Sequence, residues 1–534
     1  MPAQLTCGET LIQLLEQYGV DTVFGIPGVH TLDLYRGLGH SRIQHVQARN
    51  EQGAGFMADG YARVSGKPGV CVLISGPGVT NAATPLGQSF ADSIPVLLIS
   101  STTASHTFGK GWGCLHEIKD QQAVTQPLTA MSVTALSPDE LPELLGQAFS
   151  IFAAERPRPV HIAIPIDVLA QKTTGHWSPR TIPSRPRANP EDVQAAADLL
   201  RMAKRPLLIA GGGAVEAQAE LTGLAERLNA VVVTTCAGKG VVPESYPLVL
   251  GGGLVRPEVQ QFLPSADVVL AVGTELSETD SFVDRMKIAG TLIRIDLDRG
   301  KLNDLYPADL GIVADAKPTI ASLLECLGDE TGTAEDQSAV LAKLQVDIHT
   351  NLTDSEKQHT RLLETLRTAV PENTIFSGDI CQLVYTGCFA MPVEQPRLWH
   401  YPAGYCTLGC GLPNGIGAKL ALPEQPVVVL AGDGGFMFTV QELVTAAELE
   451  LPLPIILWNN SSLKQIRDDM LRRSIPTLGV NGPNPDFIAL AKACNGNGVR
   501  VESRAEFTTA LEQAWRTPTF TLIEVREGDA WLVD

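Results

Sequence analysis

Three doubly wound parallel-sheet α/β domains are what this sequence predicts. Three features predict it: short buried-type strand runs, helical spacings between them, and two linker-like breaks. The strand runs are β-branched and almost wholly apolar: Val70–Ile74, Val96–Ser100, Val160–Ile164, Leu207–Ile209, Val231–Val233, Val268–Val272, Leu292–Ile295, Val427–Leu430, Ile455–Leu457 and Thr521–Val525. A strand covered by helices on both faces has no polar side, so continuous apolar runs read as parallel sheet. Each run ends in or near Gly, Ser, Pro or Asp, which turn a strand into a loop.

Between the strands, Leu11, Leu14, Leu15 and Tyr18 keep helical spacing. So do Val440, Leu443, Val444 and Ala447, behind an expected capping box of Thr439 and Glu442. Alternating strands and helices give doubly wound sheets. Ser178–Pro190 is rich in Pro, Ser and Arg, and Gly328–Asp336 is polar and rich in Gly and Thr. They divide the chain into expected domains at 1–180, 190–328 and 345–534.

Composition excludes several classes. A chain of 534 residues buries enough apolar surface to need no disulfide or zinc staple. Its 40 Lys and Arg against 59 Asp and Glu give a net charge of −19, opposite to what a nucleic-acid binder needs. An anionic ligand is not excluded, because metal ions and backbone dipoles act locally. The ten cysteines lack CxxC or zinc spacing and read as thiols. The start, MPAQLTCGETL, carries no basic segment followed by an apolar run, and no apolar stretch approaches the ~18 residues of a membrane helix. A cytoplasmic protein with no membrane or nucleic-acid partner is expected.

The strongest chemical signal is in the last third. Strand Val427–Leu430 runs into Ala431-Gly432-Asp433-Gly434-Gly435, and strand Pro454–Leu457 ends in Trp458-Asn459-Asn460. Neighbouring parallel strands open their carboxyl ends on one edge, where ligands bind, so Asp433 and Asn460 can converge. A carboxylate and an amide oxygen form a hard donor set suited to magnesium or calcium. The glycines let backbone amides approach phosphate.

This GDG…NN pair resembles the diphosphate and metal motif of thiamine-diphosphate enzymes, in the acetolactate synthase and 2-oxo acid decarboxylase superfamily, and the likeness covers nearly the whole chain. It implies three domains, pyrimidine-binding, central and diphosphate-binding, with thiamine diphosphate and Mg2+ as cofactors. Asp433, Asn460 and the carbonyl of Ser462 would bind the metal. Gly432, Gly434, Gly435 and Leu463 would line the cofactor. The usual NNxxYG is here NNSSLK, so Leu463 and Lys464 depart from the pattern. Gln465 just beyond is a substrate candidate.

Arg49–Arg63 resembles the glutamate segment of the same enzymes. Its carboxylate hydrogen-bonds the aminopyrimidine and favours the tautomer that deprotonates the thiazolium carbon. Glu51 is the residue in that place. Gly404–Pro413 resembles the loop gripping the pyrimidine, with Leu408 as the apolar wedge and Cys406 offering its carbonyl. Gly378-Asp379-Ile380-Cys381 would meet the diphosphate.

Gly25-Ile26-Pro27-Gly28 and Gly76-Pro77-Gly78 are strand-end turns, and in the family both line the active site. Gly28, Val29 and His30 follow as substrate residues. His116 stands where the synthases have glutamine. Either His30 or His116 is open as the proton shuttle.

In the central domain, Ala210-Gly211-Gly212-Gly213 lacks GxGxxG and reads as a tight turn. Gly273–Asp280 carries Glu275, Glu278 and Asp280 and no arginine, so FAD is not expected there. GIPGVHTLDLY, LHEIKDQ and GTELSETD together resemble decarboxylases of 5-guanidino-2-oxopentanoate, although those carboxylates also fit a solvated loop. The resemblance implies decarboxylation of a 2-oxo acid to an aldehyde. The alternatives are carboligation onto a second carbonyl compound, and a non-catalytic binding protein on the same fold. It also implies a homodimer or homotetramer with active sites between subunits.

Overall fold

The computed structural model describes residues 4–173, 176–329 and 333–533. Thr6 caps the first helix, Cys7–Gln17, in a capping box with Glu9. The helix then buries Leu11, Leu14 and Leu15. Six strands follow: β1 Thr22–Gly25, β2 Gln44–Gln47, β3 Gly69–Leu73, β4 Val96–Thr102, β5 Met131–Thr134 and β6 Val160–Pro165. They form a parallel sheet in the order β2-β1-β3-β4-β6-β5.

The second sheet holds β7 Pro206–Ala210, β8 Val231–Thr234, β9 Val268–Val272, β10 Thr291–Asp296 and β11 Leu310–Val313, in the order β11-β10-β9-β7-β8. The third holds β12 Ile375–Gly378, β13 Trp399–His400, β14 Val427–Gly432, β15 Pro454–Asn459, β16 Asn497–Arg500 and β17 Thr521–Arg526, in the order β13-β12-β14-β15-β17-β16. All described pairings in both sheets are parallel.

Every strand run expected from sequence lies in a strand, to within a residue or two at its ends. Of the strands outside those runs, β2, β5, β11, β13 and β16 are edge strands, while β1 and β12 lie inside their sheets. An edge strand is covered less completely, so its residues need not be uniformly apolar. Gln44–Gln47 and Asn497–Arg500 each expose two of their four residues, and β13 is only two residues long.

Two expectations need correcting. Thr439 and Glu442 form no capping box: the helix is Glu442–Glu448, with Gln441 at its cap. Thr439 Oγ1 instead donates to the Gly409 carbonyl at 2.6 Å. The helix Ser338–Thr350 packs Leu341 into the central core, so residue 345 falls within a helix of the central unit. The segment 178–189 has no helix or strand, as its composition implied, and of the second break residues 330–332 lie outside the described residues.

The first and third units meet along two helices, Glu51–Ser65 and Gly411–Ala421. Their backbones touch where glycines allow it. A Cβ on Gly60 would lie 2.2 Å from the Asn414 carbonyl oxygen, and one on Gly417 2.0 Å from that of Met57. No described helix is long and apolar enough to cross a membrane.

Candidate active site

The third sheet gathers one group of candidate residues at its carboxyl edge. Gly432 of β14 pairs with Trp458 of β15, so Asp433 and Asn460 emerge side by side. Asp433 begins the short helix Asp433–Phe436 and is buried. Burial raises its pKa, while the Asn484 side chain and the backbone N–H of Asn460 pull it back. Asn484 Nδ2 donates to Asp433 Oδ2 at 2.7 Å and to Asn459 Oδ1 at 3.0 Å. Asn460 Oδ1 accepts from the Ser462 N–H at 3.2 Å, which turns the loop back on itself. Ser461 between them is left-handed, with φ of 53°.

Side chains from three loops lock against this edge. A Cβ on Gly432 would sit 2.8 Å from Cys381 Cβ, one on Gly434 2.7 Å from Leu463 Cδ2, and one on Gly435 3.3 Å from Leu408 Cδ2. Only glycine leaves the space between these side chains open. Asp379 is buried, and its carboxylate accepts from the N–H groups of Ile380 at 2.7 Å, Gly409 at 3.0 Å and Gly411 at 3.1 Å. It therefore fastens the loop carrying Cys406 and Leu408 to the end of β12. Burial raises the Asp379 pKa against those donors. Cys381 is pushed up to about 12 by burial and is no thiolate. Cys406 takes a left-handed backbone, with Sγ 3.6 Å from the Tyr401 hydroxyl. Gln465 Oε1 accepts from Gln382 Nε2 at 3.2 Å. Lys464 turns away, to Glu527 and Ser355.

A cradle of glycines beside a hard oxygen set fits a diphosphate held through a divalent cation. Among the described residues, no cluster of three or more His, Cys, Asp or Glu is placed to hold a metal. A metal here would draw on Asp433 together with amide and carbonyl oxygen.

The first sheet carries a second group of candidate residues. Glu51 opens the helix Glu51–Ser65, whose N-cap is Asn50. Its Oε2 accepts from Asn81 Nδ2 at 2.9 Å, and a Cβ on Gly78 would lie 3.7 Å from its Oε1. His30 and His116 meet edge to face, ring centroids 5.4 Å apart. His30 Nδ1 lies 2.5 Å from Ser75 Oγ. Burial lowers the His30 pKa, and the neighbouring His116 lowers it further. His116 is left-handed, with φ of 59°, and its Nδ1 is buried without a partner. Its carbonyl presses on Gly76, where a Cβ would come within 2.5 Å. Gly28 packs on Ile74, and Val29 is exposed. The two histidines, rivals in sequence, thus form one pair.

Several supporting residues escaped sequence reasoning. Gln121 accepts from the Gly76 N–H at 2.9 Å and donates to Ser100 Oγ at 2.9 Å. Ser100 Oγ lies 2.7 Å from Nε2 of the buried His161, and Thr125 Oγ1 2.7 Å from its Nδ1. Gln121 stands in the quoted LHEIKDQ segment, but nothing in the sequence joins it to Gly76. Glu442 of the third unit has no exposed surface, and accepts from the N–H groups of Arg49 and Asn50, both at 3.1 Å, and from Thr445 Oγ1 at 2.7 Å. The start of the Glu51 helix is therefore held from another domain.

The central sheet opens on a cavity of about 880 Å³ where the three units meet, lined by Arg156, Gly212, Gly213, Glu275, Asp280 and Asp296 among others. Gly212–Ala214 is a single tight turn, as expected. Glu275 is not a solvated carboxylate: it pairs with Arg156 of the first unit and with Lys301. Asp280 receives the Ser277 N–H and hydroxyl, and burial raises it to about 6.

Comparison with known proteins accords with this geometry. Three family profiles match: "Thiamine pyrophosphate enzyme, N-terminal TPP binding domain" over residues 5–126, "central domain" over 193–323, and "C-terminal TPP binding domain" over 385–525. The chain is 49% identical to a Pseudomonas aeruginosa protein named "Probable 2-ketoarginine decarboxylase AruI", covering 98% of this chain and 95% of that one. It is 34% identical to a Mycobacterium bovis acetolactate synthase, over 96% of this chain and 86% of the relative. It is 33% identical to the Escherichia coli acetolactate synthase isozyme 1 large subunit, over 98% and 94%.

Proposed function

We propose that this chain, which belongs to the thiamine pyrophosphate enzyme family, decarboxylates a 2-oxo acid to an aldehyde, and that the acid is 5-guanidino-2-oxopentanoate, known also as 2-ketoarginine. The observation that carries the reading is the meeting of Asp433 and Asn460 at the carboxyl ends of adjacent strands, beside a cradle that only glycines leave open. The substrate follows the relative named for it, at 49% identity over nearly both chains.

Bound thiamine diphosphate supplies the electron sink that accepts the pair left behind when carbon dioxide departs. The protein does the rest by holding and by moving protons. Asp433, Asn460 and the Ser462 carbonyl would hold Mg2+, and Leu408 with the Cys406 carbonyl would fix the pyrimidine end. Glu51 has one oxygen on Asn81 and keeps Oε1 for a proton shared with the pyrimidine nitrogen. His30, fixed through Nδ1 on Ser75, presents Nε2 beside His116, and the pair moves the proton that the product takes up.

In this reading the complete site needs two copies of the chain. Glu51 rests on Asn81 and Gly78 of its own domain, and Asp433 on third-domain partners. Exposed apolar side chains flank both halves: Val29, Trp112 and Leu115 on one, Tyr405, Phe438 and Leu463 on the other. A second copy would cover them and join Glu51 to the Asp433 cluster, in a homodimer or a homotetramer. Light scattering tests this, and an active monomer would refute it. Ten free thiols suit a cytoplasmic enzyme. Because paired and buried carboxylates line the central cavity, the reading leaves FAD out, and a yellow protein would contradict it.

The deciding experiment is carbon dioxide release from a panel of 2-oxo acids, with thiamine diphosphate and Mg2+, with and without acceptor aldehydes. Release from the guanidino acid with free aldehyde as product supports the reading. Acyloin or acetohydroxy acid as the main product would favour carboligation, to which the acetolactate synthase relatives point. Thermal stabilisation by the cofactors with no turnover would leave a binding protein.

A further inference from the structure

We infer that Asp469 is the specificity carboxylate of this site, receiving the cationic end of the substrate; this rests on the guanidino-acid reading above. The helix Lys464–Arg472 starts on the metal loop, where Leu463 meets Gly434 and its N–H donates to the Val480 carbonyl at 2.8 Å. Gln465 and Asp469 are four residues apart and so share a face of that helix. Gln465 Nε2 donates to Asp469 Oδ2 at 3.4 Å. Gln465 in turn accepts from Gln382, the residue after Cys381, and Cys381 abuts Gly432. Two hydrogen bonds therefore link Asp469 to the loop beside Asp433.

The charges around it leave room for a cation. Lys464 is neutralised by Glu527 and points elsewhere, and Arg467 pairs with Asp468. Asp469 itself pairs with Arg472 at 3.0 Å, but the Arg472 side chain is 70% exposed, so water and salt screen that pair and it yields readily to a better-placed guanidinium. A second feature points the same way. Gln382 Oε1 is buried without a hydrogen-bond partner, an acceptor with no donor in the protein. A guanidinium carries five N–H donors in a planar fork and can serve a carboxylate and a neighbouring amide oxygen together. The 2-oxo acid end would then lie toward the cofactor and the cationic end along the Gln465–Asp469 face.

The test compares kcat/KM for 5-guanidino-2-oxopentanoate and for the uncharged 2-oxohexanoate, in the wild-type holoenzyme and in Asp469→Asn and Asp469→Glu. Removing a charge-assisted hydrogen-bond partner should lower the ratio of the two about ten- to a hundredfold in Asp469→Asn, mainly through KM for the guanidino acid, with part of the ratio restored in Asp469→Glu. A ratio preserved in Asp469→Asn overturns the inference alone, as does an equal loss on both acids. Equal use of the two acids by the wild type overturns the substrate reading and the inference with it.

Discussion

Glu442 offers the sharpest test of how the Glu51 helix is held. Its carboxylate lies in the third unit without exposed surface, yet takes the N–H groups of Arg49 and Asn50, the two residues before Glu51. A Cβ on Gly53 would lie 2.3 Å from its Oε1, so no side chain separates the two segments. Glu442→Ala leaves both backbone donors without this acceptor and frees the Thr445 hydroxyl. Hydrogen bonds to a charged group contribute ~1.5–3 kcal/mol each, and an orphaned buried donor loses that and its hydration. Two such donors give a loss of about 3–6 kcal/mol, the lower end if water enters. At roughly 2–4 °C per kcal/mol for units of this size, Tm should fall by about 6–24 °C. Glu442→Gln keeps one carbonyl acceptor and should lose about a third to a half of that. The assay pairs differential scanning fluorimetry with kcat measured well below the new Tm. If the helix start is held from here, kcat falls in the folded Ala variant because Glu51 has shifted. An Ala variant with wild-type Tm and kcat would refute the reasoning.

The remaining predictions are direct. Because burial and then His116 lower the His30 pKa, the neutral form persists below pH 6.5, and kcat/KM should fail on the acid side with a midpoint under that value. His116→Gln removes the like charge and should move the midpoint upward, and an unmoved limb would separate the two residues. His161 is pushed down to about 3 by burial, against an ordinary histidine value of 6.5. Between those values the unfolded chain holds one more proton than the folded one, so stability rises with pH across that window and falls on acidification, by ~1.4 kcal/mol per unit from this group. His161→Asn should flatten the slope of urea unfolding from pH 5 to 6.5 by about that amount. Thiamine diphosphate with Mg2+ should raise the Tm of the wild type and not of Asp433→Ala, and equal shifts would remove Asp433 from the metal site.

Much of the scaffold was legible because its central strands are covered on both faces. Val268–Val272 and Val427–Leu430 can only be apolar there, and the pattern shows. Edge strands such as Gln44–Gln47 carry mixed residues because one flank lacks a neighbour, so pattern alone missed them. Thr439 and Glu442 matched a capping signature by spacing, but a stronger demand won. Their side chains were recruited across space, to Gly409 and to Arg49 and Asn50. Local signals lose wherever a buried backbone donor or acceptor elsewhere lacks another partner.

The sequence by itself determined the fold class, the strand ends that bear Asp433 and Asn460, and the glutamate at the start of a helix. These follow from residue type and order, since a parallel sheet always brings successive carboxyl ends to one edge. Only the tertiary structure decided which distant groups share a pocket. It brought His30 against His116, set Glu442 behind Glu51, placed Asn484 on Asp433 and gave Glu275 to Arg156. Those contacts join loops from different strands and domains. Their partners are fixed by packing and by the need to satisfy buried polar groups, and neither leaves a period or a spacing in the chain.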